Sequence, residues 1–109
     1  MTHPLPAPIA GYIEEDNAGG DTARWFAENA EVRDDGSTHR GREAIAAWKR
    51  AAHAAYDYRS AVTGVEPGEV EGQHIVTCHV TGSFPGGEVM LRYRFTLDDG
   101  LIARLEIAP

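Results

Sequence analysis

Residues 26–48 read FAENAEVRDDGSTHRGREAIAAW, and the fold turns on how this stretch is parsed. Its middle, Ala30-Glu31-Val32-Arg33-Asp34, reads as a brief strand. Asp34-Asp35-Gly36-Ser37 reads as a turn, because Asp side chains bond the local backbone and Gly accepts positive φ. Beyond the turn, Ile45, Trp48, Ala52, Ala55 and Tyr56 recur at helical spacing, which predicts an amphipathic helix from Arg42 to Tyr56. The Ala-rich body of this segment adds high intrinsic helix propensity. An acidic pair at the end of a strand and just before a helix can aim a carboxylate into a cavity between the two.

Toward the C-terminus the apolar period changes to two. Strands are predicted over 58–66, 71–84, 87–98 and 101–108, separated by Pro67-Gly68, Pro85-Gly86-Gly87 and Asp98-Asp99-Gly100. Leu91, Tyr93, Phe95 and Leu97 share one face and Arg92, Arg94 and Thr96 the other. Val76, Cys78 and Val80 oppose Ile75, Thr77, His79 and Thr81, and Ala103, Leu105 and Ile107 oppose Arg104 and Glu106. The sheet therefore has an oily face to carry helices and a polar face that meets water or a second subunit.

Toward the N-terminus, Pro4, Pro6 and Pro8 make residues 1–8 an arm rather than a helix. Residues 9–20 form a short helix stopped by Gly19 and Gly20. Asp21 then caps a second short helix over 21–29, with Trp25 and Phe26 on its apolar side. The expectation is α+β: three helices closing over a curved, mostly antiparallel sheet, with residues 9–109 as one domain.

The 109 residues hold one core and one small pocket. No apolar run approaches the ~20 residues that span a bilayer, and the start lacks a basic leader with an apolar core. With a single cysteine, Cys78, there is no internal disulfide, and the expected location is the cytoplasm. A formal net charge of −7 and scattered Lys and Arg work against nucleic acid and anionic membranes as partners. The five His form no ligand pair of the HExxH kind, so no metal is expected. Serine-hydrolase, phosphate-loop and dinucleotide fingerprints are missing from the sequence, and no cofactor is implied.

Phe26 with Ala30 to Asp34, His39-Arg40-Gly41 with Ala44-Ile45 and Trp48, and Gly82 to Gly86 with Tyr93-Arg94-Phe95 succeed one another in a recognisable order. From Ile9 to Pro109 the chain resembles the SnoaL-like branch of the nuclear transport factor two-like superfamily, which includes ketosteroid isomerase. The resemblance implies a cone-shaped, cystatin-like fold and a function among isomerases, cyclases, hydrolases, dehydratases and non-catalytic binding domains. In local register Asp34 matches the base of ketosteroid isomerase and Tyr12, five residues before Asn17, its phenol. The position of its protonated acid matches Leu91, so half of the oxyanion clamp, worth about 3 kcal/mol in a transition state, is absent.

Asp34 is thus the candidate general base, since a carboxylate in an apolar mouth is a usable proton acceptor. The competing reading is a solvated turn. Tyr12 is the candidate hydrogen-bond donor to a ligand carbonyl, or else a core residue with its hydroxyl at the rim. Trp25, Trp48, Tyr56, Leu91, Tyr93 and Phe95 would wall a small apolar ligand, and His39, in the loop before the last helix, could reach the mouth. His53 is expected at the surface. The function expected is binding of a small apolar carbonyl-type molecule, with cofactor-independent proton transfer by Asp34 if it is an enzyme. The alternative is a non-catalytic ligand-binding or dimerisation module with a filled pocket, and either would be a homodimer through the sheet.

Overall fold

The two Asp-Asp-Gly triplets fold alike. In the computed structural model, which describes residues 4–109, Asp35 and Gly36 have φ of 50° and 78°, and Asp99 and Gly100 have 51° and 79°. Two successive residues at positive φ make the tight hairpin turn whose twist matches its flanking strands. Asp34 accordingly pairs with Ser37, and Asp98 with Leu101.

The chain runs α1 (Ala7–Ala18), a 3₁₀ turn (Ala23–Trp25), β1 (Phe26–Asp34), β2 (Ser37–Arg40), α2 (Gly41–Ala55), β3 (Tyr58–Pro67), β4 (Gln73–Gly82), β5 (Glu88–Asp98) and β6 (Leu101–Ala108). The six strands form one sheet in the order β2-β1-β6-β5-β4-β3, with only β1 and β6 parallel. Register shifts at Val62/Gly64 and Thr96/Leu97 mark bulges, which bend the strands and curve the sheet. Of the stretch read as an arm, residues 1–3 lie outside the described residues; Leu5 packs against the core, and α1 already begins at Ala7, with Pro8 in its first turn.

Among the described residues there are two α-helices rather than three. Over 21–29 the Asp21 carboxylate accepts the Ala23 N–H at 3.1 Å, closing a tight turn instead of opening a helix. From Phe26 the chain is extended, because Phe26, Ala30 and Val32 are wholly buried in the core and the strand has β6 to pair with. Tertiary pairing here outweighs a locally helical pattern. The segment read as a loop, 37–40, is strand β2, so His39 sits on an edge strand, opposite Val32.

Ile9, Tyr12 and Ile13 of α1 and Ile45 of α2 pack with Phe26, Val32, Val76, Cys78, Tyr93, Phe95, Ile102 and Leu105 of the sheet. The bulge in the β5–β6 pairing reverses side-chain parity, so Ile102 as well as Leu105 faces inward. Asn17 at the end of α1 donates to the Ser60 carbonyl at 2.9 Å and accepts its N–H at 2.8 Å. These two bonds tie the helix to edge strand β3, occupying groups that would otherwise be open to another strand. No helix of the described residues is long and apolar enough to cross a membrane.

Candidate functional site

A cavity of about 420 Å³ lies between α2 and the concave face of the sheet. Asp34, Trp48, Tyr56, Leu91 and Tyr93 all line it, joined by Lys49, Tyr58, Val80, Phe84, Val89 and Ile107. The hairpin turn places Asp34 at the end of β1, where its half-buried carboxylate Oδ2 accepts the Trp48 indole Nε1–H at 3.1 Å. Asp35, one residue on, is exposed. Asp34 thus presents an acceptor to a mainly apolar space, with one hydrogen bond fixing its orientation.

Four expected residues stand elsewhere. Tyr12 is sealed in the core, edge-on to Phe26 and Phe95, and its hydroxyl is buried without a hydrogen-bond partner. Phe95 is a fully buried core residue. Trp25 packs on α1 at Gly11, where a Cβ would lie 2.3 Å from its ring. His39 stacks on the Trp48 indole, centroids 5.7 Å apart, and does not line the cavity.

Sequence reasoning passed over a buried polar cluster, two of whose members, Lys49 and Tyr58, line the cavity. Asp16 of α1, 3% exposed, accepts Lys49 Nζ at 3.1 Å on Oδ2, and Tyr58 Oη at 2.8 Å and His53 Nε2 at 2.9 Å on Oδ1. Lys49 also donates to Tyr58 Oη at 3.2 Å. His53, expected at the surface, is half-buried and stacked on the Tyr58 ring. The signal was present: Lys49 lies four residues after Ile45, and His53 four after Lys49, so both fall on the helix face that Ile45 buries.

Burial shapes protonation here. It pushes the Lys49 ammonium below its ordinary value, while Asp16 and then Asp34 pull the other way. Burial also pushes the phenols of Tyr12, Tyr58 and Tyr93 well up, with Asp16 adding to each, so all three stay protonated. A larger groove of about 720 Å³ runs along another flank of α2, past Gly19-Gly20 and Arg50. We place the site in the smaller cavity because it combines Asp34 with Trp48 and with apolar walls contributed by both α2 and the sheet. Among the described residues no group of three or more His, Cys, Asp or Glu side chains converges as a metal site would require.

No protein-family model and no curated protein matches the chain. Solved structures do. The chain is 36% identical to a proposed polyketide cyclase of Sinorhizobium meliloti, with 95% of each chain covered and a TM-score of 0.90. An epoxide hydrolase/cyclase-like enzyme of pyran ring formation in the polyether salinomycin is 19% identical, covering 92% of this chain and 85% of that one, with a TM-score of 0.79. A protein of ketosteroid isomerase-like fold from Catenulispora acidiphila, crystallised with trimethylamine, is 17% identical, covering 97% and 87%, with a TM-score of 0.82. The latter two share the fold alone.

Proposed function

The chain belongs to the SnoaL-like branch of the nuclear transport factor two-like superfamily, and on that footing we propose that it binds a small apolar carbonyl compound between α2 and the sheet and moves a proton with Asp34. The observation that carries this reading is the Asp34 carboxylate, held by Trp48 at 3.1 Å on the wall of a cavity whose apolar lining includes Leu91, Val80, Val89, Phe84 and Ile107. A carbonyl ligand seated there offers its α-carbon to Asp34. The C–H bond breaks, the proton goes to a carboxylate oxygen, and the electron pair passes to the carbonyl oxygen. Return of the proton to another carbon is an isomerisation; attack of the enolate carbon on a second carbonyl, whose oxygen takes the proton back from Asp34, is a cyclisation. Neither needs a cofactor.

Tyr12, whose hydroxyl stays in the core, serves this reading as a packing residue. The polar outer face of the sheet, with Arg92, Arg94 and Glu106, is assigned to a homodimer, which light scattering on the eluted protein checks. The single thiol, Cys78, buried in the core, supports the assignment to the cytoplasm.

The test is exchange of α-protons in heavy water, monitored by NMR over a panel of ketones and lactones, with epoxides tested for turnover. Asp34→Asn is expected to lower the rate by roughly 10²- to 10⁴-fold, the usual worth of a positioned general base, with folding unchanged. A panel that gives no Asp34-dependent exchange or turnover would leave the non-catalytic binding or dimerisation module as the function.

A further inference from the structure

We propose that Lys49 is the anion-binding partner of Asp34 in this cavity, and that the ligand is a carbonyl compound acidic enough to be held as its anion, such as a 1,3-dicarbonyl or a phenol. The inference rests on the cavity being the ligand site, and it goes beyond that reading by naming the group that holds the oxygen and the class of ligand that such a group selects.

The geometry of one ammonium carries it. Nζ of Lys49 has three hydrogens; one goes to Asp16 Oδ2 at 3.1 Å and one to Tyr58 Oη at 3.2 Å. Tyr58 directs its own hydrogen to Asp16 Oδ1, so it serves Lys49 as an acceptor. The third N–H has no oxygen or nitrogen acceptor among the described residues. Around Nζ stand the rings of Trp48, Tyr12 and Tyr58, with centroids at 4.2, 5.2 and 5.5 Å. These faces hold a cation without using its hydrogens.

Trp48 links the two halves of the site. Its indole N–H fixes the Asp34 carboxylate, and Lys49 Nζ lies over the same indole ring. Base and cation thus flank one side chain and line one cavity. When a ligand C–H or O–H proton moves to Asp34, negative charge leaves the carboxylate and appears on the ligand oxygen. Total charge in the site is unchanged, and the unpaired Lys49 N–H is available to the new anion. A full cation favours a ligand oxygen that carries charge in the bound state, hence an acidic ligand rather than a simple ketone.

The probe is 4-nitrophenol, whose neutral and anionic forms absorb at different wavelengths. Titrated into the wild-type protein near neutral pH, it is expected to bind with the anionic band enhanced. Lys49→Met should weaken binding of the anion on the order of tenfold to a hundredfold and return the bound probe to its neutral form. That variant strands a buried Asp16 and could fail to fold, so the double variant Asp16→Asn/Lys49→Met, which removes the pair together, is made alongside it. Asp34→Asn is expected to keep or strengthen anion binding, because it deletes a neighbouring negative charge. Enhancement of the anion equal with and without Lys49, or no binding of the anion by the wild type, overturns the proposal. The two readings fail separately: anion binding that needs Lys49 without Asp34-dependent exchange would remove the proton-transfer reading alone, whereas Asp34-dependent exchange with Lys49-independent anion binding would remove this one alone.

Discussion

Asp34 and Asp98 hold the same position in the same Asp-Asp-Gly triplet, yet one lines a cavity and the other is exposed. The difference lies in the path of the chain after each turn. After Asp34 it passes through β2 into α2, which brings Trp48 back over the carboxylate; after Asp98 it returns directly as β6. Tyr12 shows the opposite case, a residue whose type suits chemistry and whose placement does not. Its hydroxyl is buried and unpartnered, a cost that Tyr12→Phe removes. We expect that variant to hold turnover within about twofold and to be as stable as wild type or up to about 1 kcal/mol more stable, as urea unfolding would show. A large loss of turnover without loss of stability would return Tyr12 to the site. The Asp34 position was legible because a turn signal and a helix start bracket it. Asp16 and Lys49 were not, because a charged residue on a helix reads as solvated until its partner on a distant element is known.

At the level of elements, hairpins were legible and the 21–29 segment was not. Asp-Gly and Pro-Gly-Gly fix local φ directly: Gly86 at 87° comes after Pro85, and the Gly87 N–H closes the turn on the Phe84 carbonyl at 3.0 Å. Gly36, at φ 78° with nothing within 4 Å of an added Cβ, isolates the backbone term. Gly36→Ala is expected to destabilise by roughly 1 kcal/mol through φ alone, read as a shift in urea midpoint with unchanged slope. Residues 21–29, by contrast, hold a helical apolar pattern that loses to a long-range pairing with β6, 76 residues away at Phe26 and Ile102. No local signal encodes that partner. β2 was missed for a related reason: four polar residues become a strand only because the preceding turn folds them onto β1.

For the whole molecule, the curved sheet, the direction of its oily face and the closing helix were readable from alternation, because a chain of this size has one core to fill. The number of helices and the inner polar cluster depended on contacts across the fold. Buried phenols and the buried ammonium set the response to alkali. Tyr12 and Tyr93 are raised above their ordinary value of 10.0 by burial, so the unfolded chain loses these protons first. Their contribution is complete below pH 10 and is lost as pH rises above it, at up to about 1.4 kcal/mol per pH unit for each tyrosine. Lys49, lowered from 10.5, acts in the opposite sense, adding stability as pH rises from its folded value toward 10.5. The expected outcome is a urea midpoint that falls steeply above pH 10, and less steeply in Tyr12→Phe. A midpoint flat across that range would mean the phenols are solvated.

The two tryptophans make the most direct test of where the ligand sits, since Trp48 lines the cavity and Trp25 packs away from it on α1. The measurement is the pair of indole N–H signals in an ¹⁵N-correlated NMR spectrum as 4-nitrophenol is titrated in. The account expects the Trp48 signal to move with saturation while the Trp25 signal stays in place. Movement of Trp25 alone, or of neither, would contradict a ligand site between α2 and the sheet.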